Sequence, residues 1–329
     1  MRIPGIKSAK TFSRWLQARI FGGALILGYH RVDDVTRDAY EVCVTPDHFS
    51  EHMDMVNKYT HPISLAKLAQ CMKAGSPPPK SVAVTFDDGY VDNLYNAKPI
   101  LEKYEIPATV FVCTGYVGRE FWWDELERLV KSSQGDLDAL QLQVGKSQFA
   151  WNLLKGSPAP DARIRRKFCG ALYNFLLRLD VEEQNDAMNT IRIWSGVPSQ
   201  DATSRTLTHE ELLQLADGGL IELGAHTRHH PMLPQLSLER QTEEIVSSKQ
   251  DLEMWLGRKI DGFAYPNGKA DENAKRIVRK AGFAFACTSL HDVIRRGSDL
   301  HELTRFWQRD VDGERFMQAL DLWVKLGRN

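Results

Sequence analysis

The chain has 329 residues, of which 43% are apolar and 26% charged, and its formal net charge is -1. This balance is typical of a globular chain with a sizeable hydrophobic core. A nearly neutral chain lacks the positive charge that phosphate backbones favour, so we expect no nucleic-acid partner.

The first predicted element is a basic amphipathic segment over residues 1–21. Lys7, Lys10 and Arg14 interrupt its apolar runs, so the segment predicts neither a signal peptide nor a membrane span. It fits a helix that either packs on the domain or lies on an anionic membrane surface. The five cysteines, an odd number without a CxxC pair, favour a reducing compartment. We therefore expect a cytoplasmic protein, membrane-peripheral if the segment contacts lipid.

Beyond residue 21, short apolar strands alternate with helical patterns. The predicted strands cover 24–29, 81–86, 107–113, 221–225, 262–265 and 283–288. The predicted helices cover 46–59, 91–104 with a break or kink at Pro99, 208–216, 236–256, 272–281 and 316–326. This alternation predicts an α/β fold, a distorted (β/α) barrel of about seven strands. Residues 119–205 show helical patterns without a clear strand, and we predict a helical insertion into a single domain spanning 22–329.

Two adjacent carboxylates follow the strong strand prediction at 81–86. Asp87 and Asp88 lie in the sequence Thr-Phe-Asp-Asp-Gly, where Gly89 allows a sharp turn. Adjacent anions raise each other's pKa unless a cation compensates. The pair is either a capped strand-to-helix turn, or a site in which one carboxylate binds a metal and the other deprotonates water.

Two histidines follow another predicted buried strand. His226 and His230 have the HxxxH spacing that can direct two imidazoles to one point, directly after Gly224 and Ala225. Active sites of α/β barrels collect at the carboxyl ends of the strands. One Asp and two His leave coordination positions open, as a catalytic metal site requires.

These motifs carry a family resemblance. TFDDG, HTxxH and the turn 266–268 occur in the order seen in polysaccharide deacetylases of the NodB type, over about residues 24–118 and 206–310. The segment GYHRV at 28–32 resembles the opening of one branch, which includes biofilm-polysaccharide and surface-glycan deacetylases. The resemblance implies a divalent metal, with zinc favoured and cobalt, nickel or manganese also accepted. It also implies an N-acylated sugar or glycan as substrate.

The family's residue roles transfer to matching positions of this chain. Asp87 matches the catalytic base, and Thr227 matches the residue that orients the second motif. Asn267 matches the turn residue whose backbone N–H stabilises the oxyanion. The metal-binding triad is matched by Asp88, His226 and His230.

The chain departs from the family pattern at two points. The family often has an arginine two positions before the turn proline, where this chain has Ala264. Arg305 is our candidate surrogate, against the alternative of a surface or capping arginine. The general acid is not assigned by motif, because His291 and His301 lack the family's late Leu-x-His spacing. His30 is a candidate, against the alternative of a buried structural histidine.

Two further alternatives concern the substrate. Trp122 and Trp123 open the insertion and fit either a sugar-stacking wall or hydrophobic packing. The implied activity is removal of an N-acyl group from an amino sugar in a polysaccharide, oligosaccharide or lipid-linked glycan precursor. Acetyl is the favoured acyl group. The competing hypotheses are a deacylase of a non-sugar amide on the same fold and a catalytically inactive glycan-binding homologue.

Overall fold

The computed structural model describes residues 23–34, 41–133, 137, 140–151, 162–197 and 204–326, with side chains to residue 321. The predicted amphipathic segment 1–21 lies outside the described residues. The chain divides into two compact units, one of residues 1–117 with 207–329 and one of residues 118–206. Within the described residues, every helix is too short or too polar to cross a membrane.

The first unit is built on one curled parallel sheet. The described strands of the whole chain are β1 (Ala24–Tyr29), β2 (Arg31–Val32), β3 (Cys43–Val44), β4 (His61–Pro62), β5 (Ser81–Phe86), β6 (Ala108–Val112), β7 (Gln141–Val144), β8 (Ser147–Ala150), β9 (Ile221–Ala225), β10 (Gly262–Ala264), β11 (Phe285–Cys287) and β12 (Phe306–Trp307). The strands of the curled sheet run in the order β11-β10-β9-β6-β5-β1-β12, and β4 also pairs with the start of β5. The seven parallel strands of the main path confirm the predicted α/β barrel-like fold.

One short segment connects the two ends of this curled sheet. On one side, Leu303 forms a parallel bridge with Cys287 of β11, and its N–H donates to the carbonyl oxygen of Ala286 at 2.9 Å. On the other side, Phe306 of β12 pairs with Leu27 of β1. Arg305 lies between these two attachments, and the closure of the sheet therefore fixes its backbone.

The helices begin and end where the local sequence directs. Thr208 caps the helix at 209–216 and forms a capping box with Glu211. The segment before Pro99 is a π-helical turn at Asn93–Ala97 rather than a continuous α-helix. The described α-helices are α1 (Pro46–Tyr59), α2 (Leu65–Ala74), α3 (Lys98–Lys103), α4 (Trp122–Ser132), α5 (Ala162–Leu176), α6 (Val181–Ser195), α7 (His209–Ala216), α8 (Leu238–Leu256), α9 (Glu272–Lys280) and α10 (Gly313–Leu326).

Each buried strand contributes to two cores because successive side chains point to opposite faces. In β1, Leu25 and Leu27 join the core that contains Phe49 of α1. Ala24 and Ile26 belong to the other core, which includes residues of β5, β6, β10 and β11. The second core is the concave interior of the curled sheet. Its layer at the carboxyl ends of the strands consists of polar side chains, and these form the site described below.

The second unit corrects the prediction of an insertion without strands. Besides α4, α5 and α6, it contains an antiparallel hairpin of β7 and β8, with Gly145 in a left-handed conformation at the turn. The signal was the alternation of exposed glutamines with buried Leu142 and Val144. Trp122 and Trp123 are buried, and the Trp122 ring stacks on Tyr173 at 5.1 Å, so both tryptophans serve packing within this unit.

Candidate active site

The site lies where the parallel strands end. His30 follows β1, Asp87 follows β5, Cys113 follows β6 and His226 follows β9. His30, Asp87 and Cys113 each lie an even number of residues from an inward-facing residue of their own strand. His226 lies two residues after Gly224, where a Cβ would meet Phe111 of the same inner core. Sheet topology therefore brings together side chains that are far apart in sequence.

Asp87 and Arg305 form a buried, two-pronged ion pair. Arg305 Nη1 donates to Asp87 Oδ1 at 2.6 Å, and Nη2 donates to Oδ2 at 2.8 Å. Burial alone would raise the pKa of Asp87, but Arg305, with His226 and His30, lowers it to about 2. Asp87 is therefore a carboxylate at neutral pH. Arg305 is 0% exposed, which excludes the alternative of a surface or capping arginine.

The guanidinium of Arg305 is itself held on several sides. Its Nε donates to the carbonyl oxygen of Thr288 at 3.1 Å, and Nη1 also reaches the hydroxyl of Thr85 at 3.4 Å. Its Cζ lies 4.5 Å from the centre of the Trp307 ring, within cation–π range. Together with the two bonds to Asp87, these contacts occupy four of the five N–H donors of the buried arginine and fix the orientation of Asp87.

Asp88, His226 and His230 converge beside this pair. Asp88 Oδ1 lies 3.7 Å from the Nε2 atoms of both histidines. His226 Nδ1 lies 2.8 Å from the carbonyl oxygen of Ala264, which can only accept, so the proton resides on Nδ1 and the Nε2 lone pair faces Asp88. Ligand atoms bound to one ion at about 2.0–2.1 Å in a tetrahedron lie about 3.4 Å apart, close to the two separations of 3.7 Å from Asp88 Oδ1.

The protonation of these groups fits a divalent cation. Burial lowers the pKa of His226, and burial together with His226 holds the pKa of His230 well below its usual range. Both imidazoles are therefore neutral, the form that binds metal. Two neutral imidazoles and one carboxylate in a buried layer form a donor set for zinc or a related ion. Sequence spacing predicted this triad, and Nε2 of each histidine lies 3.7 Å from Asp88 Oδ1; metal binding by the three residues together stays a prediction.

Cys113 is a rival third donor, because its Sγ, a carboxylate oxygen of Asp88 and a ring nitrogen of His226 all lie within 4.8 Å of one another. The thiol instead donates to the carbonyl oxygen of His226 at 3.1 Å. Burial, with Asp88 and Asp87 nearby, holds the pKa of Cys113 well above its ordinary value. A protonated, hydrogen-bonded thiol is a poor metal ligand, so His230, whose Nε2 lies 3.7 Å from Asp88 Oδ1, stays the predicted third donor.

His30 faces the same site through an aromatic contact that the sequence did not reveal. Its half-buried ring stacks on Trp307 with centroids 4.5 Å apart and an interplanar angle of 19°. A Cβ on Gly28, which pairs with Trp307, would lie 2.8 Å from that ring. Trp307 thus contacts both His30 and Arg305. The sequence signal for Trp307 was its position two residues after Arg305, because side chains two residues apart in an extended chain point to the same face.

The third motif forms a tight turn directly after β10. Asn267 has a left-handed backbone with φ of 54°, and the Gly268 N–H donates to the carbonyl oxygen of Tyr265 at 2.8 Å. A Cβ on Gly268 would lie 2.1 Å from Ser289 Oγ, so the position requires glycine. The turn lies at the same sheet edge as His226. The oxyanion role of the Asn267 N–H stays a prediction.

The late histidines have other contacts. His301 Nε2 bonds to the carbonyl oxygen of Phe283, before the start of β11 and so toward the opposite end of the sheet. The ring of His291 stacks on Phe306. The side chain of Phe306 belongs to the core that contains Phe49, outside the concave interior. Of the histidines considered for the general acid, His30 is therefore the one that the fold brings to Asp87.

Fold and site define a class: a curled parallel α/β barrel with a buried donor set for one divalent ion beside an arginine-paired carboxylate. The family model described as polysaccharide deacetylase matches residues 74–135 and 181–286. The chain belongs to the polysaccharide deacetylase family, and this confirms the resemblance seen in the motifs.

Named relatives and solved structures agree with this assignment. The poly-beta-1,6-N-acetyl-D-glucosamine N-deacetylase of Staphylococcus aureus (strain MSSA476) is 32% identical over 110 residues, covering 30% of this chain and 38% of that protein. The match thus spans well under half of the relative's length. The Streptococcus pyogenes deacetylase PplD in complex with acetate has a TM-score of 0.59 at 19% identity, covering 90% of this chain and 97% of that one. IcaB from Ammonifex degensii gives the same TM-score and identity over 93% and 98%. These structures show the shared fold.

The ion pair predicts a strong energetic coupling. Arg305→Gln should destabilise the metal-free protein by about 3–5 kcal/mol, because it leaves a buried carboxylate without its cation. Adding Asp87→Asn to the Arg305→Gln variant should recover part of the lost stability, because the buried carboxylate charge is then removed. Urea unfolding of the two single variants and the double variant measures the coupling. Additive losses would contradict it.

The same pair predicts the acid sensitivity of the fold. A carboxyl whose pKa falls from 3.8 to about 2 on folding stabilises the protein above pH 3.8, and this stabilisation is lost as pH falls through 2. Unfolding followed between pH 5 and pH 2 should show the loss in the wild type. It should be weaker in Arg305→Gln, in which Asp87 lacks the cation that lowers its pKa.

The close packing of Gly28 predicts that Gly28→Ala lowers stability by roughly 1–3 kcal/mol, because the added methyl overlaps a ring held by His30 and Arg305. Chemical unfolding measures the change. Gly170→Ala is the control, since a Cβ on this glycine of α5 meets nothing within 4 Å and alanine favours the helix. Equal stability of Gly28→Ala and the wild type would show that Trp307 is not fixed in this place.

The two possible donor triads make different predictions for zinc affinity. His230→Ala should lower the affinity by more than the roughly 10–100-fold that loss of an outer hydrogen-bond partner costs. Cys113→Ser should change it by less than about twofold, because serine can keep the hydrogen bond to the His226 carbonyl. Competition with a coloured chelator measures both. The reverse ranking would assign the third ligand to Cys113.

Proposed function

We propose that this protein is a metal-dependent N-deacetylase that removes an acyl group, first of all acetyl, from an amino sugar of a glycan. The observation that carries the proposal is the ionised, arginine-held Asp87 directly beside the donor set of Asp88, His226 and His230. A glycan-binding module has no use for a free carboxylate next to a metal site, whereas a hydrolase requires one.

In the proposed reaction, a water oxygen attacks the acyl carbon, and the carbon–nitrogen bond breaks to give a carboxylate and a free amine. A divalent ion held by the triad, with zinc favoured over cobalt, nickel or manganese, would polarise the acyl carbonyl and lower the pKa of the water. Asp87 accepts the proton of the attacking water. Because the pKa of Asp87 is only about 2, it is a weak base and needs a water that is already acidified.

The leaving amine needs a proton, since an amide anion is not a viable leaving group. We assign this role to His30, which lies close enough for its charge to lower the pKa of both Asp87 and His230. Its stacking on Trp307 restricts the ring to one orientation. The backbone N–H of Asn267, in the rigid turn after β10, is the proposed donor to the developing oxyanion.

The substrate class follows from the family and its relatives. Polymers of N-acetylglucosamine are the first substrates to test, because a relative of 32% identity is named for one of them. An N-acetylated oligosaccharide or a lipid-linked glycan precursor is the alternative within the same chemistry. The predicted cytoplasmic location and the membrane contact of residues 1–21 stay predictions.

The proposal predicts amine release from N-acetylglucosamine oligomers by zinc- or cobalt-loaded protein, and none after removal of metal by a chelator. Asp87→Asn should reduce the rate by at least about 100-fold while still binding metal, because the proton acceptor is gone. Asp34→Asn, a change at an exposed carboxylate, is the control and should leave the rate unchanged.

Other outcomes would separate the alternatives. Release of acid from small non-sugar amides, with none from N-acetyl sugars, would replace the sugar substrate while keeping the metal chemistry. Glycan binding that is equal in the wild type and in Asp87→Asn, with no turnover by either under any metal, would contradict the enzyme proposal.

A further inference from the structure

The loop that carries both metal-binding histidines has a strained backbone. Thr227 and His230 have φ values of 63° and 56°, in the left-handed region that L residues rarely adopt. Thr227 is β-branched, so its conformation is especially unfavourable. Such residues cost on the order of 1–3 kcal/mol each and persist only where surrounding contacts enforce them.

Contacts from the turn that follows β6 hold one side of this loop. The Thr114 N–H donates to the carbonyl oxygen of Thr227 at 3.2 Å, and the Gly115 N–H donates to that of Arg228 at 2.9 Å. A Cβ on Gly115 would lie 2.8 Å from that carbonyl oxygen and 2.8 Å from the His229 ring. The loop is therefore packed directly on the backbone that follows β6.

Helix α8 holds the other side through one carboxylate. Glu244 Oε2 accepts the N–H groups of Arg228 and His229, both at 2.9 Å. Its Oε1 lies 2.7 Å from His229 Nδ1. A single side chain thus binds two successive backbone donors and one ring. Two adjacent N–H groups that converge on one anion form a rigid, directional contact.

The face of α8 supports the same loop at a second point. Asp251 lies seven residues after Glu244 and therefore on the same face of the helix. Its Oδ2 accepts the hydroxyl of Thr114 at 2.7 Å and lies 3.1 Å from Arg228 Nε. Glu244 is 7% exposed, whereas the neighbouring Glu243 has a side chain 53% exposed and pairs with Arg240 on the surface.

We infer that Glu244 is a positioning residue for the metal site: it holds the strained loop 226–230 so that His226 and His230 face Asp88. It touches neither of these histidines and acts through the backbone between them. Without it, the two left-handed residues can relax and the imidazoles no longer converge. The inference rests on the proposed metal triad and adds a residue outside the three sequence motifs.

The test compares Glu244→Ala and Glu244→Gln with Glu243→Ala, a matched change one residue away on an exposed face. Zinc affinity of the metal-free proteins is measured by competition with a coloured chelator, and thermal unfolding is measured without metal. Glu244→Ala should weaken zinc binding about 10–100-fold, as loss of an outer hydrogen-bond partner does. Glu243→Ala should stay within about twofold.

Glu244→Gln retains one oxygen for the two N–H groups and should weaken zinc binding less than Glu244→Ala. If Glu244→Ala fails to fold, the comparison of Glu244→Gln with Glu243→Ala decides. A loss of zinc affinity of more than about threefold in Glu244→Gln then supports the inference. A lowered unfolding temperature with unchanged zinc affinity would assign Glu244 a structural role only and overturn the inference. Equal losses in the Glu243 and Glu244 variants would also overturn it.

The zinc series is independent of the reaction. Zinc binding without any deacetylase activity would remove the proposed function and leave the role of Glu244 to be decided by the affinities. Wild-type protein that binds no zinc, cobalt, nickel or manganese would overturn both proposals, since there would be no ligand site to position.

Discussion

The buried pair of Asp87 and Arg305 is the interaction on which the rest of the site depends. A carboxylate buried at the carboxyl ends of parallel strands loses its hydration, and burial alone would raise its pKa and favour the neutral form, which cannot act as a base. Arg305 keeps it ionised and fixes both of its oxygens. Arg305 lies on the segment that connects β11 to β1. The closure of the sheet therefore also positions the cation that keeps Asp87 ionised.

Side chains alternate between the two faces of each strand, and this alternation explains why a few residues from several strands form a dense site. Residues at even spacing along β1, β5, β6 and β9 all face the concave interior. Small residues such as Gly28 and Gly224 leave room there for Trp307 and Phe111, whose rings would meet a Cβ at 2.8 Å and 2.5 Å. The packing therefore leaves little room for the polar layer above it to move.

Much of this arrangement could be predicted from the sequence, because the signals are local. The apolar runs 24–29, 81–86 and 221–225 predicted their strands to the residue. The carboxylates of TFDDG and the histidines of HTxxH follow two of those strands directly. The alternation of predicted strands and helices identified the fold class, because it too is read from local sequence patterns.

The features that were missed or left open depend on contacts that are distant in sequence. Arg305 was the candidate partner of Asp87, but it lies 218 residues away, so the sequence left the alternative of a surface or capping arginine open. Glu244 lies on an ordinary amphipathic helix, and only the packing of α8 on the 226–230 loop reveals its contacts. The β7–β8 hairpin was missed because four-residue strands carry a weak periodic signal.

We propose that Asp88, His226 and His230 hold one divalent ion beside an Asp87 fixed by Arg305. The most direct measurement is an anomalous diffraction map from crystals of zinc-loaded protein. We expect one strong peak within about 2.0–2.2 Å of a carboxylate oxygen of Asp88 and of Nε2 of both histidines. A peak bound by Cys113 in place of His230, or a metal bound elsewhere with the site empty, would contradict it.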